Sequence, residues 1–329
     1  MKMTPRERVM ASVNHQNPAS LPMDLGSNVS AGISGMAYGK LKEYLGITTG
    51  HNRIYDVVQQ VAQPEIQVLD IIGADVLDVG RVFNTEDSDW YDVTLSNGVA
   101  AQWPGWFRPR HHKDGSYEYF DCEGTLIAKM PNGGMCFDQQ YFPYKEDYPE
   151  NYNDLDKEMG KVIWSAMVHS PWDHSNEKYF WETLRERCLV LKNSTDRALM
   201  ITCGCNFFEW GTFLRRMENY LMDIYEEPEQ VLALNDQLLE RHLKNLENTC
   251  KYLDGIVDIV RFGDDLGMNN NMFMSLEKYR TLFKPYHTKI NEYVHKHSSM
   301  KTFLHSCGSI FPVIGDLAEA GFDILNPVQ

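Results

Sequence analysis

The chain has 329 residues, a length within the range of one α/β barrel or of two smaller domains. Its hydrophobic fraction of 43% and charged fraction of 23% are ordinary for a globular protein. The formal net charge of −15 argues against nucleic acid or an anionic membrane as the main partner, because both would repel the chain.

No apolar run approaches the length of a transmembrane helix, and the opening residues lack the pattern of a signal peptide. Thr4, Pro5 and Glu7 instead fit the N-cap, N1 and N3 positions of a helix. Seven cysteines, an odd number without an export signal, indicate free thiols in a reducing compartment. We therefore expect a cytoplasmic protein.

The N-terminal part of the chain predicts helices with short strands between them. A helix is expected over 4–15, followed by an apolar strand at 20–28. Helical spacing returns at 38–47 and at 54–73, where a glycine gives a stop signal. The apolar segment 74–80 then predicts a buried strand.

Residues 84–144 interrupt this alternation. They contain β-rich pieces separated by turn dipeptides, which predicts a small antiparallel insertion. Many aromatic side chains lie in the same segment: Trp90, Trp103, Trp106, Phe107, Tyr117, Tyr119 and Phe120. These rings form either the core of the insertion or the wall of a pocket for an apolar ligand such as an aromatic one.

From about residue 150 strands and helices alternate again. Helices are predicted at 152–167, 177–195, 206–222, 228–255, 275–298 and 310–321, and strands at 197–204, 256–265, 300–308 and 322–328. With the two earlier strands this gives six, which favours a (β/α)8 TIM barrel over a doubly wound sheet. No glycine-rich phosphate loop follows the first strand, and this weakens the dinucleotide-binding alternative.

A closed barrel needs eight strands, whereas the sequence stops after the sixth predicted strand. We therefore expect a single TIM-barrel domain over 1–329 that lacks its C-terminal strands and contains the antiparallel insertion at 84–144. A missing C-terminal part is favoured over completion of the barrel by another chain.

The catalytic groups of such a barrel gather at the C-terminal ends of its strands. Each polar residue there has a structural explanation by itself, as a cap, a core thiol or an ion pair, but their convergence on one rim predicts an active site. The candidate catalytic residues are Asp78, Glu209, Asp264 and Asp265. The candidate substrate-binding residues are Asn206, Arg261, Asn326 and Gln329.

His305 and Cys307 lie two residues apart where an apolar run gives way to glycine and serine. On an extended strand such residues point to the same side, and imidazole nitrogen and thiolate sulfur are both zinc ligands. The alternative is a buried small residue beside a histidine with its own partner. A metal site needs at least a third ligand, for which the candidates are Cys203, Cys205, Glu209 or a segment beyond the sequence.

Four segments resemble the uroporphyrinogen decarboxylase superfamily: TPRERVMASVNHQNPASLPMDLG, RRMENYLMDIYEEPE, RFGDDLGMNNNMFMSLEKYRTLFKPYH and FLHSCGSIFPVIGDLAEAGFDILNPVQ. The resemblance covers nearly all of the chain, is weakest in the insertion, and is closest to the cobalamin-dependent methyltransferase branch. It implies a (β/α)8 barrel and a zinc site with a His-x-Cys-Gly motif, which maps onto His305, Cys307 and Gly308. The family's third ligand, a cysteine, would lie beyond Gln329.

The decarboxylases of the superfamily carry an arginine-rich segment after the first strand, which holds the carboxylates of their substrate. Here that stretch is DLGSNVSAGISGMAYGK, without an arginine. A substrate with eight acidic side chains would therefore lack compensating cations. Asp78 resembles the catalytic aspartate of the decarboxylases in position, which we interpret as shared ancestry.

The resemblance thus implies a corrinoid-dependent methyltransferase, with Zn²⁺ as cofactor and cobalamin on a partner corrinoid protein. Zinc is a Lewis acid that activates a thiol, or polarises a methyl ether whose leaving oxygen is protonated by Asp264, Asp265 or Glu209. The aromatic insertion favours O-demethylation of a phenyl methyl ether.

Two alternatives remain open. One is a uroporphyrinogen decarboxylase-type carboxy-lyase of porphyrin biosynthesis, which would use Asp78 and no metal. The other is a non-catalytic protein that binds a corrinoid protein. Beyond the corrinoid protein, the expected partners are a small-molecule methyl donor or acceptor and a second copy of the chain in a homodimer.

Overall fold

The structure, a computed structural model, describes residues 3–18, 20–164, 167 and 169–327. The chain divides into two compact units. The first comprises Met1–Tyr141 and Val190–Met200, and the second comprises Phe142–Leu189 and Ile201–Gln329. This division does not test the single barrel domain expected over 1–329, which stays a prediction.

The first unit is built from short helices and strands. They are α1 (Pro5–Val13), β1 (Ile33–Ser34), α2 (Gly35–Tyr44), β2 (Ile54–Asp56), β3 (Val61–Ala62), α3 (Ile66–Ile72), β4 (Val76–Asp78), β5 (Trp90–Thr94), β6 (Ala100–Pro104), β7 (Arg110–His111), β8 (Tyr117–Phe120), β9 (Leu126–Met130) and β10 (Asp138–Gln139).

The second unit has longer helices between parallel strands. Its elements are α4 (Leu155–Met159), α5 (Phe180–Asn193), β11 (Ala198–Gly204), α6 (Phe208–Arg215), α7 (Met217–Glu226), α8 (Pro228–Leu253), β12 (Ile259–Gly263), α9 (Leu276–Leu282), α10 (Lys284–His297), β13 (Lys301–His305), α11 (Ile314–Glu319) and β14 (Ile324–Asn326). The division between the units falls inside α5 and β11. Among the described residues, no helix combines the length and apolar character needed to cross a bilayer.

The capping box expected at the first helix is confirmed. The Thr4 hydroxyl accepts a hydrogen bond from the backbone N–H of Glu7, and the Glu7 carboxylate accepts one from the backbone N–H of Thr4. Arg8 on the same helix donates from Nε to Asp75 at 3.2 Å, which ties α1 to the start of β4. Local capping therefore fixes where α1 begins, and an ion pair fixes where it packs.

The strand predicted at 20–28 is wrong. Asp75 donates its backbone N–H to the Met23 carbonyl at 2.7 Å, but the Met23 N–H is taken by the Asp75 side chain at 2.8 Å. The carboxylate thus replaces the carbonyl that a strand would need as its next partner. Asn28 then accepts the N–H groups of Ser30 and Ala31 with its side chain, which starts a 3₁₀ turn.

The helix predicted over 54–73 is wrong in its first part, where β2 and β3 form an antiparallel pair. The Asp56 carboxylate accepts the backbone N–H of Val58 at 2.8 Å, and this local bond favours a turn over a helix. Pro64 follows β3 and disfavours a helix in the residue before it. Only α3 remains helical, and it ends at Gly73 with a left-handed φ of 79°.

The antiparallel insertion is present as predicted. β5 pairs with β6, and β7 to β10 form a four-stranded sheet in the order β10-β9-β8-β7. The Trp103 ring lies edge-on to the rings of Phe107 and Phe137, with centroids 5.4 and 6.2 Å away. All three side chains are buried. The aromatic residues thus pack on one another, as the core interpretation predicts, and give no support to a pocket for an aromatic ligand.

A five-stranded sheet in the order β14-β13-β12-β11-β4 carries the alternation of strands and helices. The pairs β4–β11, β12–β13 and β13–β14 are all parallel. The predicted α/β class with a parallel sheet is therefore confirmed. Closure of this sheet into a (β/α)8 barrel stays a prediction.

Several predicted helices are shorter or divided in the structure. The helix expected at 206–222 breaks at Arg216, whose φ of 69° separates α6 from α7. The helix expected at 275–298 breaks before Pro285, because proline in the first turn of α10 cannot donate a hydrogen bond back into α9. Of the helix expected at 152–167, Leu155–Met159 is helical, and 165–166 lie outside the described residues.

Candidate metal and catalytic site

The parallel register brings the ends of β12, β13 and β14 side by side. Gly263 at the end of β12 lies opposite His305 at the end of β13, and His305 lies opposite Asn326 on β14. The residues that follow these ends are therefore neighbours as well. Asp265, two residues beyond Gly263, faces Cys307, two residues beyond His305, and the Cys307 N–H donates to Asp265 Oδ1 at 2.8 Å.

Asp265, His305 and Cys307 form a cluster of potential metal ligands. One donor atom from each lies within 4.8 Å of the other two. The Cys307 Sγ is 3.2 Å from His305 Nε2, which is 3.6 Å from Asp265 Oδ1. In the part of the chain that the structure describes, no other group of three His, Cys, Asp or Glu side chains has this geometry. We refer to these three residues as the donor cluster.

The orientation of the His305 ring is fixed by a hydrogen bond of its Nδ1 atom. Nδ1 lies 2.8 Å from the amide oxygen of Asn326, which can only accept, so the proton sits on Nδ1 and the Nε2 lone pair faces the donor cluster. Burial, and secondarily the charge of Arg261, lower the pKa of His305. The ring is therefore neutral at pH 7, the form that binds metals.

Two backbone bonds hold the loop that carries Cys307. Gly267 donates its N–H to the Cys307 carbonyl at 3.1 Å, and Ser309 donates to the Met268 carbonyl at 2.8 Å. Burial, followed by the negative charge of Asp265, raises the pKa of Cys307 to about 11. Without a metal, the Cys307 side chain is therefore a protonated thiol at neutral pH. Its sulfur atom nevertheless lies where it could bind a metal together with His305 and Asp265.

The loops after β12 and β13 cross with their backbones in contact. A Cβ atom at position 267 would lie 2.7 Å from the Cys307 carbonyl oxygen and equally close to backbone atoms of Gly308 and Ser309. Gly308 has a φ of 88°, which a residue with a side chain adopts only with strain. Glycine is therefore required at both positions for Cys307 and Asp265 to meet.

We predict that Gly267→Ala weakens zinc binding at least tenfold, because the added methyl group pushes apart the loops that carry Cys307 and Asp265. Overpacking of this kind typically costs about 1–3 kcal/mol. The matched control is Gly315→Ala on α11, where a Cβ atom meets nothing within 4 Å. Competition titration with a zinc-chelating dye measures both variants. Equal affinities for the two would contradict the close approach described here.

Asp264 points away from the donor cluster and is fully buried. Its carboxylate accepts the backbone N–H groups of Phe207, Phe208 and Glu209 at 3.2, 3.0 and 2.9 Å. These donors form the first turn of α6, where a negative charge is stabilised by the unpaired N–H groups. The predicted role of Asp264 as a proton donor stays a prediction, but its contacts are those of a residue that positions Glu209.

A buried histidine completes the surroundings of Asp264. His287 on α10 lies with Nε2 3.0 Å from Asp264 Oδ2, and its Nδ1 lies 3.1 Å from the Tyr279 hydroxyl on α9. His287 and Tyr279 are as inaccessible as Asp264 itself. The end of β12 is thus joined to α6, α9 and α10 through one carboxylate.

Glu209 lies in a crowded polar group at the start of α6. The Asn206 side chain donates to its Oε2, and the absence of a side chain at Gly263 leaves room for Asn206, Arg261 and Glu209. Burial, with smaller effects from the charges of Asp265 and Asp264, raises the pKa of Glu209 to about 8. The carboxyl group is therefore mostly protonated at pH 7, and in this form it can donate a proton.

We predict that Glu209→Gln makes the metal-free protein more stable at alkaline pH. Because the folded state raises the pKa of Glu209 from 4.5 to about 8, stability present below pH 4.5 is lost as the pH rises through 8. Glutamine cannot ionise, so the variant should avoid a loss on the order of 2–4 kcal/mol between pH 5 and 8.5.

Urea unfolding at both pH values measures this difference. The control is Glu292→Gln on the exposed side of α10, which should follow the parent protein. If Glu209→Gln and the parent lose the same stability between the two pH values, then Glu209 ionises with an ordinary pKa and the interpretation is wrong.

The remaining predicted site residues lie elsewhere or take other roles. Asp78 is buried at the end of β4 in the first unit, where burial raises its pKa to about 6. Cys203 and Cys205 are buried and are not members of the donor cluster, and burial raises the pKa of Cys203 to about 12. Gln329 lies outside the described residues.

The sequence alone did not identify Asp265 as a neighbour of His305 and Cys307, or Asn326 as the partner of the imidazole. Both were named as candidates, but for proton transfer and for substrate binding. The register of parallel strands could have indicated these contacts, since it places Asp265 beside Cys307 and Asn326 beside His305. Nothing in the sequence pattern indicates the link between Asp264 and His287.

Comparison with known proteins gives one family match and one similar solved structure. Residues 207–327 match the family model of uroporphyrinogen decarboxylase (URO-D). The solved structure of a methyltransferase from Methanosarcina mazei is similar to the chain with a TM-score of 0.50 and 13% sequence identity, over 98% of this chain and 75% of that one. No curated protein matches the sequence. The predicted resemblance to the superfamily is therefore confirmed over residues 207–327, and the chain shares the fold of that methyltransferase.

Proposed function

We propose that this chain, which resembles the uroporphyrinogen decarboxylase superfamily and matches its model over 207–327, is a zinc-containing methyltransferase that works with a corrinoid protein. The observation that carries the proposal is the donor cluster of Asp265, His305 and Cys307. The superfamily resemblance and the fold shared with a methyltransferase support it.

The donor cluster fits a catalytic zinc ion. It offers one nitrogen, one sulfur and one oxygen ligand, and catalytic zinc sites usually have three protein ligands and one open position. The amide oxygen of Asn326 holds the imidazole through its Nδ1 atom, as carboxylates and carbonyls commonly do for zinc-bound histidines. The His305 side chain is 14% exposed and that of Asp265 is 35% exposed, so a small molecule can reach the cluster. When bound there, zinc supplies Lewis acidity to an oxygen or a sulfur atom of the substrate.

The protein's own groups then have distinct tasks. Cys307 must lose its proton to become a ligand, while His305 is already neutral. Glu209 is held beside the cluster by the first turn of α6 and carries a proton at neutral pH. We assign to it the protonation of the leaving oxygen when the methyl donor is an ether. A thiol acceptor would need no such proton, so the two routes respond differently to loss of this residue.

We predict that the purified protein binds about one zinc ion, and that its affinity rises with pH between 6 and 9. The cause is the thiol of Cys307, whose pKa of about 11 requires one proton to leave for each ion bound. Cys307→Ala and His305→Ala should lose the zinc. Metal analysis after dialysis, and dye competition at several pH values, measure both effects.

Cys122→Ala and His297→Ala serve as controls for these variants, because both residues are exposed and lie outside the donor cluster. Asp265→Asn should retain zinc with weaker affinity, since a neutral amide oxygen is a poorer ligand than a carboxylate. Full zinc content in Cys307→Ala would remove the basis of the proposed function.

We predict methyl transfer between cobalamin and a small methyl ether or thiol, measured by the absorbance change between cob(I)alamin and methylcobalamin. Glu209→Gln should reduce transfer from an ether at least a hundredfold while zinc content stays unchanged, because general acids typically contribute about 10²–10⁴-fold. Equal loss with ethers and thiols would count against the proton-donor role. Turnover of uroporphyrinogen by the metal-free protein would favour the lyase instead.

The lyase remains the second candidate because the matching family model is that of a decarboxylase. Against it stands the arginine-free stretch at 24–40. The aromatic rings of the insertion pack on one another and therefore do not favour a phenyl methyl ether as the substrate. O-demethylation of phenyl methyl ethers stays a prediction. A corrinoid partner protein, a cytoplasmic location and a homodimer all stay predictions.

A further inference from the structure

A large cavity lies in the second unit, beside the C-terminal end of β11. Its volume is about 930 Å³. Its wall is formed by residues of the segments 151–160 and 172–176, by residues 203–206, and by the middle of α8. This volume is near the upper end of the range typical of small-molecule sites, and strand ends of parallel sheets are where such sites occur.

The wall of the cavity combines flat aromatic surfaces with carboxamides. The aromatic side chains of the wall are Tyr152, Trp172 and Trp210. The carboxamides are Asn151, Asn153, Asn176, Asn206, Gln237 and Asn245. The side-chain oxygens of Asn151, Asn176 and Gln237 accept hydrogen bonds from Asn153, Lys244 and Arg241. Their NH₂ groups can donate to the hydroxyl groups of a ligand. The chemistry of the wall therefore suits a ring that has a flat apolar face and several hydroxyl groups.

The charged side chains of the wall are three carboxylates and two cations: Asp156, Asp173, Glu240, Arg241 and Lys244. Arg241 donates from Nε to Asp156 at 2.6 Å, and Lys244 lies with Nζ 3.3 Å from the Asn176 side chain. His242 is buried with Nε2 2.9 Å from the Asn206 carbonyl, and burial lowers its pKa to about 4, so it is uncharged at pH 7. The carboxylates outnumber the cations, so the wall has no excess of positive charge that would select a phosphate or a multiply charged acid.

We infer that this cavity binds a neutral polyhydroxylated ring of the sugar class. Aromatic side chains contact the apolar face of such a ring, and carboxamides bond its hydroxyl groups in the plane. The inference goes beyond the proposed methyl transfer, because it requires neither zinc nor a corrinoid. Asn206 connects the two sites: its carbonyl holds His242 at the cavity wall, and its side chain bonds Glu209.

The experiment is saturation-transfer NMR and calorimetry on the full chain, with neutral mono- and disaccharides, glucose 6-phosphate and benzoate as probes. We expect at least one neutral saccharide to bind, and to bind equally well with and without EDTA. Trp172→Ala and Gln237→Ala should each weaken its binding at least tenfold. Trp164→Ala and Gln230→Ala are the matched controls, because neither residue is in the wall of the cavity.

The inference is overturned if no neutral saccharide binds, if glucose 6-phosphate or benzoate binds more tightly, or if the Gln237→Ala variant binds as the parent does. Thermal unfolding shows whether each variant is folded. Gln237 lies half-buried on α8, and alanine has a high helix propensity, so we expect the Gln237→Ala variant to fold. Loss of binding in EDTA would also overturn it, since the ligand would then belong to the donor cluster. Zinc binding and methyl transfer are measured separately and can fail independently.

Discussion

The site depends on two neighbouring carboxylates at the end of β12 that turn to opposite sides. Asp264 points inward, where it receives three backbone N–H groups of α6 and lies 3.0 Å from His287. Asp265 points to β13, where it accepts the N–H of Cys307. Successive side chains of an extended strand alternate between its two faces, so one dipeptide can serve both tasks. The helix that carries Glu209 and the loop that carries Cys307 are therefore positioned from a single stretch of backbone.

Much of this arrangement could be predicted from local patterns. The apolar periodicity and the helix stops indicate β11, β12, β13 and the long helix α8, but they do not indicate the breaks that separate α6 from α7 and α9 from α10. The apolar residues of 20–28 are typical of a strand, but the segment is not a strand in the structure. The side chain of Asp75, more than 50 residues further along the chain, accepts the Met23 N–H that a strand would donate to a neighbouring carbonyl. Side-chain competition of this kind depends on tertiary contacts, which no local pattern contains.

The difference between local patterns and tertiary contacts also applies to the candidate site. His305 and Cys307 could be recognised because their spacing and neighbours are local in sequence. The sequence places Asp265 among the polar residues at a strand end, but its position beside Cys307 follows from the register between β12 and β13. The role of Asp264 at the start of α6 required knowledge of a contact across more than 50 residues. The spacing of residues along the sequence indicates which side chains could bind a metal. The register of the strands and the packing of the helices determine which side chains are in contact.

The charges around the donor cluster distinguish methyl transfer from decarboxylation most clearly. Burial first, and then the negative charge of Asp265, raises the pKa values of Glu209 and Cys307, so the metal-free site resists the addition of further negative charge. A divalent cation would relieve this, since it balances a thiolate and a carboxylate and leaves the neutral imidazole as third ligand. Arg261 is the cation whose field reaches His305, Cys307 and Glu209. One arginine cannot balance eight carboxylates on a tetrapyrrole, but together with a zinc ion it suits a small neutral or singly charged substrate.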